Sequence, residues 1–264
     1  MKNNNTKKVE NKEIVNVDFK EIVDNMLKSE GQSELKKSLI DKGYGLKILA
    51  KDKDVDVRKS LAEKGKELDT LIGDKNWSVR EAVAKQHFGL DTLVEDPDPD
   101  VRRAVAEQGC HLDKLLEDSD WTVRLAVAEQ RYGLDVLVKD SNSMVRIAVA
   151  KQGCGLDILV NDDELIVRIA IAKQGHRLET LINDEYWEVR KTVAEQGYGL
   201  EKLVNDDHWE VRLAVAKQGY GLNRLMYDPV AEVRVAVAEQ GYGLSKLVYD
   251  HDSRVSLAAS DQFK

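Results

Sequence analysis

The sequence predicts an all-α fold: an α-solenoid, a superhelix of ten 22-residue repeats, each a long helix followed by a short one, with a partial eleventh repeat at the C-terminal end. Three observations predict it. Valine recurs at a constant step of 22 residues, from Val57, Val79 and Val101 onward to Val255, and all but the last are followed by arginine. With that valine as position 1, every full repeat has leucine at positions 12 and 15 and aspartate at position 18. Apolar residues follow helical i, i+3, i+4 spacing on either side of position 9, which is glycine in eight of the ten full repeats.

The elements follow in chain order. Residues 1–17 are polar and rich in asparagine and lysine, the composition of a disordered tail. Residues 18–34 have apolar spacing suited to a helix that caps the first repeat. The ten repeats fill residues 35–254, counted from Leu35, and residues 255–264 read as a C-terminal capping helix in which Ser256 and Ser260 replace the usual repeat residues. Repeat proteins need such ends, because each unit buries its apolar face only against its neighbours.

Within a repeat, the aspartate at position 18 reads as the N-cap of the long helix. Pro97 and Pro229 directly follow such an aspartate and Pro99 comes two residues later, as expected for proline in a first helical turn. The long helix is then expected to run from position 19 to position 8 of the next repeat. Glycine at position 9 stops it, with His87 and Arg131 as exceptions. The leucines at positions 12 and 15 and an apolar residue at 16 mark a second helix, too short to be assigned as α or 3₁₀ from sequence. Valine at position 1, alanine at 4 and valine at 5 form the core stripe of the long helix, and alanine at 6 allows close approach of successive units.

At this point a resemblance becomes specific. An aspartate six residues before the arginine of a Val-Arg-x-Ala-Val-Ala helix, as in Asp206 to Arg212 with "VRLAVA", resembles the HEAT-repeat signature. The short period and the long-helix, short-helix alternation are similar to the leucine-rich repeat variant, a bacterial relative in that group. The likeness covers residues 35–264. It implies a binding surface rather than an active site, with Asp and Arg side chains hydrogen-bonded in a ladder along the stack. One member linked to nitrogen fixation carries an iron–sulfur cluster, but this chain lacks the cysteine cluster such a group needs, so no cofactor is expected.

Composition narrows the partners. A net charge of −8 and a pI near 5.3 disfavour a general nucleic-acid footprint. Neither a signal peptide nor an apolar run of membrane-spanning length is evident, so a cytoplasmic protein without membrane contact is expected. Cys110 and Cys154 stand two repeats apart, too far for a disulfide. The five histidines are scattered, and no phosphate loop, Cys-x-x-Cys or nucleophile elbow occurs, so no catalytic or metal residue is assigned. The expectation is not an enzyme.

The informative departure lies opposite the core stripe. Positions 3 and 21 point about 160–200° away from position 1 and should meet solvent. Lys59, Glu81, Arg103 and Lys191 obey that rule, but Leu125, Ile147, Ile169, Leu213 and Val235 occupy position 3 elsewhere. Position 21 adds Leu165 and all four tryptophans: Trp77, Trp121, Trp187 and Trp209. Two readings compete: these side chains pack between neighbouring long helices, or they form a protein-binding band. The second is the expectation, with Trp121, Leu125, Ile147, Leu165, Ile169, Trp187, Trp209, Leu213 and Val235 as the contact residues. The chain is thus expected to scaffold or occlude a protein partner; the alternative is nucleic-acid binding or a HEAT-like DNA glycosylase-type activity.

Overall fold

The structure, a computed structural model, describes residues 25–29 and 31–263. Among them there are helices and turns but no strand. Nine-residue helices alternate with four-residue helices at the period of the sequence: Val55–Glu63 then Leu68–Leu71, Trp77–Lys85 then Leu90–Leu93, and so on to Ala231–Glu239 and Leu244–Leu247, with Ser253–Asp261 last. By contact the chain divides after Gln108 into two compact units. In each, every long helix packs on the long helix one period away and on the short helix beside it, which is α-solenoid packing.

The core is the one the repeat encodes. Position 1 valines from Val57 to Val255 and the position 5 side chains, such as Val83, Val105, Val149 and Ile171, have no solvent exposure. Leucines at position 15, Leu71 and Leu159 among them, cover them from the short helix. Alanine at position 6 is fully buried, as a close-approach residue should be. A four-residue helix cannot hold itself together in water, so this shared burial maintains it. The short elements are α-helical, which answers the question the sequence left open.

Position 18 corrects the sequence reading. The long helix begins at position 21 and its N-cap is position 20: Asp54, Asn76, Asp98, Asp120, Asn142 and Asp252 each accept a hydrogen bond from the amide two residues on. Pro99 is the first helical residue, as expected, whereas Pro97 and Pro229 lie in the preceding turn. The position 18 carboxylate does not cap because it is otherwise engaged. Asp140 accepts from the amide of Asn142 at 2.8 Å and takes both Nε and Nη2 of Arg124, at 2.6 and 2.9 Å. Arg124 also donates to the carbonyl of Asp118, six residues before it, at 2.7 Å.

That arrangement recurs as Arg58 with Asp74, Arg80 with Asp96, Arg146 with Asp162, Arg168 with Asp184, Arg190 with Asp206, Arg212 with Asp228 and Arg234 with Asp250. In the first repeat Lys36 takes the place of arginine, 2.7 Å from Asp52. Burial works against the charge of Asp74, Asp140 and Asp206, but the guanidinium and the backbone amide outweigh it and hold each carboxyl below its usual value. At Asp250 the hydrogen bond from Arg234 is itself the leading cause.

At the C-terminal end of the long helix the chain turns through positive φ at position 9. His87 and Arg131 adopt it too, with φ of 56° and 61°. The glutamine at position 8 forms a partial second ladder: Gln218 donates to the carbonyl of Glu195 and Gln240 to that of Lys217, one helix back, while Gln174 bonds within its own helix. Of the expected capping helix over 18–34, residues 25–28 are helical, and Ser33 already belongs to the first long helix, Ser33–Asp41. Residues 18–24 and 30, like the expected tail at 1–17, lie outside the described residues.

Candidate protein-interaction face

All nine candidate residues lie on long helices of the second unit, from Trp121–Glu129 to Ala231–Glu239. Their exposure differs from expectation. Trp121 is 38% exposed, but Ile147 is only 6% exposed, and Leu125, Leu165, Ile169, Trp187, Trp209, Leu213 and Val235 are half-buried. The packing reading therefore accounts for much of the band. Position 3 is covered because successive long helices pack side by side. Lys191 at position 3 shows the register, with its Nζ 2.8 Å from Glu210 at position 22 of the next helix. The last long helix has no described successor, and there Leu257 at position 3 is 62% exposed.

The same register sets Met144 against Leu125 and Ile166 against Ile147. Those position 22 residues are what the sequence reading missed. Met144 is 42% and Ile166 46% exposed, more than any of the nine residues named from sequence. A signal existed: position 22 is polar or charged in every other repeat, as Asp56, Ser78, Asp100, Thr122, Glu188, Glu210, Glu232 and Arg254. Position 22 sits about 100° from position 21 around the helix, so it leaves the stack where position 3 is shielded. Trp121, Met144 and Ile166 stand on three successive long helices and form the exposed part of the band.

Toward Trp209 the band becomes a stacked aromatic cluster. The rings of Trp187 and His208 lie 4.0 Å apart with planes inclined by 12°, and Trp209 follows at 6.2 Å from His208. Nδ1 of His208 also accepts from the amide of Glu210 at 3.4 Å, so this imidazole caps the helix it precedes. Lys191 Nζ sits 5.8 Å above Trp187. Glu188, in the first turn of the Trp187–Glu195 helix, leaves its buried Oε2 without a hydrogen-bond partner.

Other rows are explained by the fold. The position 2 arginines are committed to carboxylates and carbonyls and do not form a track of available cations. Between successive connections lie open crevices, of about 560 Å³ beside Arg190 and Asp206 and about 620 Å³ beside Arg212 and Asp228; these ladder pairs help line them. Tyr198, Tyr220 and Tyr242 are exposed just beyond the long helices. Among the described residues no group of His, Cys, Asp and Glu could hold a metal ion, and no helix is long and apolar enough to cross a membrane. No protein-family model matches the sequence, and no curated protein matches it either.

Proposed function

We propose that the chain is a non-enzymatic, HEAT-like repeat scaffold of the leucine-rich repeat variant type, which binds a protein partner through the long helices of its second unit. The observation that carries this reading is the exposed apolar patch of Trp121, Met144 and Ile166, on helices whose core stripes are already filled. Apolar side chains left on the solvent face of three successive helices favour a partner that covers them. The half-buried Leu125, Leu165 and Ile169 form its floor, and Trp187, Trp209, Leu213 and Val235 continue it along the stack. The partner is held for assembly or kept from other contacts by occlusion, in the cytoplasm.

Nucleic-acid binding is the weaker reading. The periodic arginines are neutralised by aspartates, and the net charge is negative. Pull-down of partners with the full chain, compared with Trp121→Ala plus Ile166→Ala, tests the proposal, with circular dichroism as the check of fold. Loss of capture with helicity retained supports it. Unchanged capture overturns the assigned face, and sub-micromolar duplex binding that weakens steeply with salt overturns the protein-scaffold reading.

A further inference from the structure

The patch has a polarity that narrows the chemistry of its partner. Beside Ile166, at the N-terminal ends of the long helices, lie Asp163, Glu164 and Glu185, all exposed, and the half-buried Glu188. Two of these side chains keep a carboxylate that the fold does not use as a cap or leaves with an unbonded oxygen. Glu164 stands at the N-cap of the Leu165–Lys173 helix but makes no side-chain capping bond, and the buried Oε2 of Glu188 has no partner. The nearby cations are bonded first to other carboxylates: Arg146, which also attracts Glu164, to Asp162 at 2.6 Å, Arg168, which also attracts Glu185, to Asp184 at 2.6 Å, and Lys191 to Glu210 at 2.8 Å. Of the exposed lysines of this region, Lys151 and Lys173 sit at the opposite ends of their helices, about 10 Å of helix rise from position 22, and Lys139 lies in the connection one repeat before the one that carries Asp163 and Glu164.

We infer that the patch docks an amphipathic helical segment of the partner whose apolar face is edged by lysine or arginine, the cationic edge lying over Asp163, Glu164, Glu185 and Glu188. The inference rests on the protein-binding reading above and deepens it. Three successive long helices at about 9 Å spacing span about 18 Å between the outer two, the length of about 12 helical residues. Apolar anchors about six to seven residues apart on the partner therefore meet Trp121, Met144 and Ile166 in turn. Cations on one border of that face pair with the exposed carboxylates of Asp163, Glu164 and Glu185. A carboxylate-edged helix of the same apolar face would instead bury like charge against like and is rejected.

The test is a fluorescence-anisotropy titration of the full chain with three labelled 18-residue peptides. One is an amphipathic leucine/lysine helix, the second has the same leucines with glutamate for lysine, and the third has the same lysines with serine for leucine. The leucine/lysine peptide is expected to bind saturably and at least tenfold more tightly than either of the others. Met144→Lys with Ile166→Lys should weaken it at least tenfold. Ile158→Lys, at an equally exposed isoleucine on the short helix Leu156–Leu159, should leave it unchanged. Glu164→Gln with Glu185→Gln and Glu188→Gln should remove most of its preference over the leucine/glutamate peptide.

Equal binding of the first two peptides, weakening by Ile158→Lys as large as by the double variant, or no binding at all overturns the inference. A leucine/glutamate peptide that binds best and is displaced by Met144→Lys with Ile166→Lys overturns the cationic assignment but leaves the protein-binding reading standing. Failure of that reading registers separately, as unchanged partner capture in the pull-down.

Discussion

Arg124 and the seven position 2 arginines that share its arrangement each close a ring of contacts on their own chain: two bonds forward to a carboxylate sixteen residues on, and one back to a carbonyl six residues before. Neutralising a partner leaves a partly buried guanidinium short of its counter-charge, so Asp140→Asn should lower stability by about 2–3 kcal/mol in urea denaturation. Removing an exposed pair, such as Lys64 with Asp41, should change it far less, because solvent screens both charges. The depressed carboxyls also set a pH dependence. Because Asp74, Asp140, Asp206 and Asp250 are stronger acids folded than unfolded, their contribution is complete above the unfolded value near about 4 and is lost as pH falls through the folded values. Melting temperature should stay level from neutral pH to about 5 and drop below about 4; a decline beginning near pH 6 would assign the acid sensitivity to histidine instead. Backbone strain is the other residue-scale quantity. Arg131 holds the left-handed turn that glycine takes in eight repeats, so Arg131→Gly should stabilise by about 0.5–1 kcal/mol, read as a higher melting temperature.

Among the elements, the long helix shows what the period conveyed and what it hid. Apolar spacing located both helices and the core, because Val211, Val215, Leu222 and Leu225 recur at fixed offsets that only helices can bring together. Its start was misplaced by two residues. An aspartate that takes an arginine and an amide looks the same in sequence as one that caps a helix, and the true caps at position 20 vary between aspartate, asparagine, glutamate, tyrosine, histidine and valine. The candidate face was legible only in part for a related reason. A helical wheel gives direction from one axis, whereas coverage depends on the neighbouring axis, and so Ile147 is buried while Ile166 is not. The same column tests this. Ile147→Ala should cost about 2–3 kcal/mol, and Leu257→Ala, with no described helix beyond it, less than about 0.5 kcal/mol by denaturant titration.

For the whole molecule, stability is a sum of neighbour contacts rather than the property of one core. The division after Gln108 gives the second unit its own buried valines and leucines, from Val123 to Val255 and Leu137 to Leu247. Residues 109–264 expressed alone should remain helical and unfold cooperatively. The arginine contacts carry a last consequence, for chain length. Excising residues 145–166 joins Met144 to Val167 and lets Arg168 reach the carbonyl of Asp140 that Arg146 now uses, so every rung finds a partner of the same kind. Excising the eleven residues 156–166 instead leaves Arg146 facing no aspartate and a long helix running on without its return. Such a protein lengthens and shortens in whole steps of 22 residues, and the phase of an insertion matters more to its survival than the size.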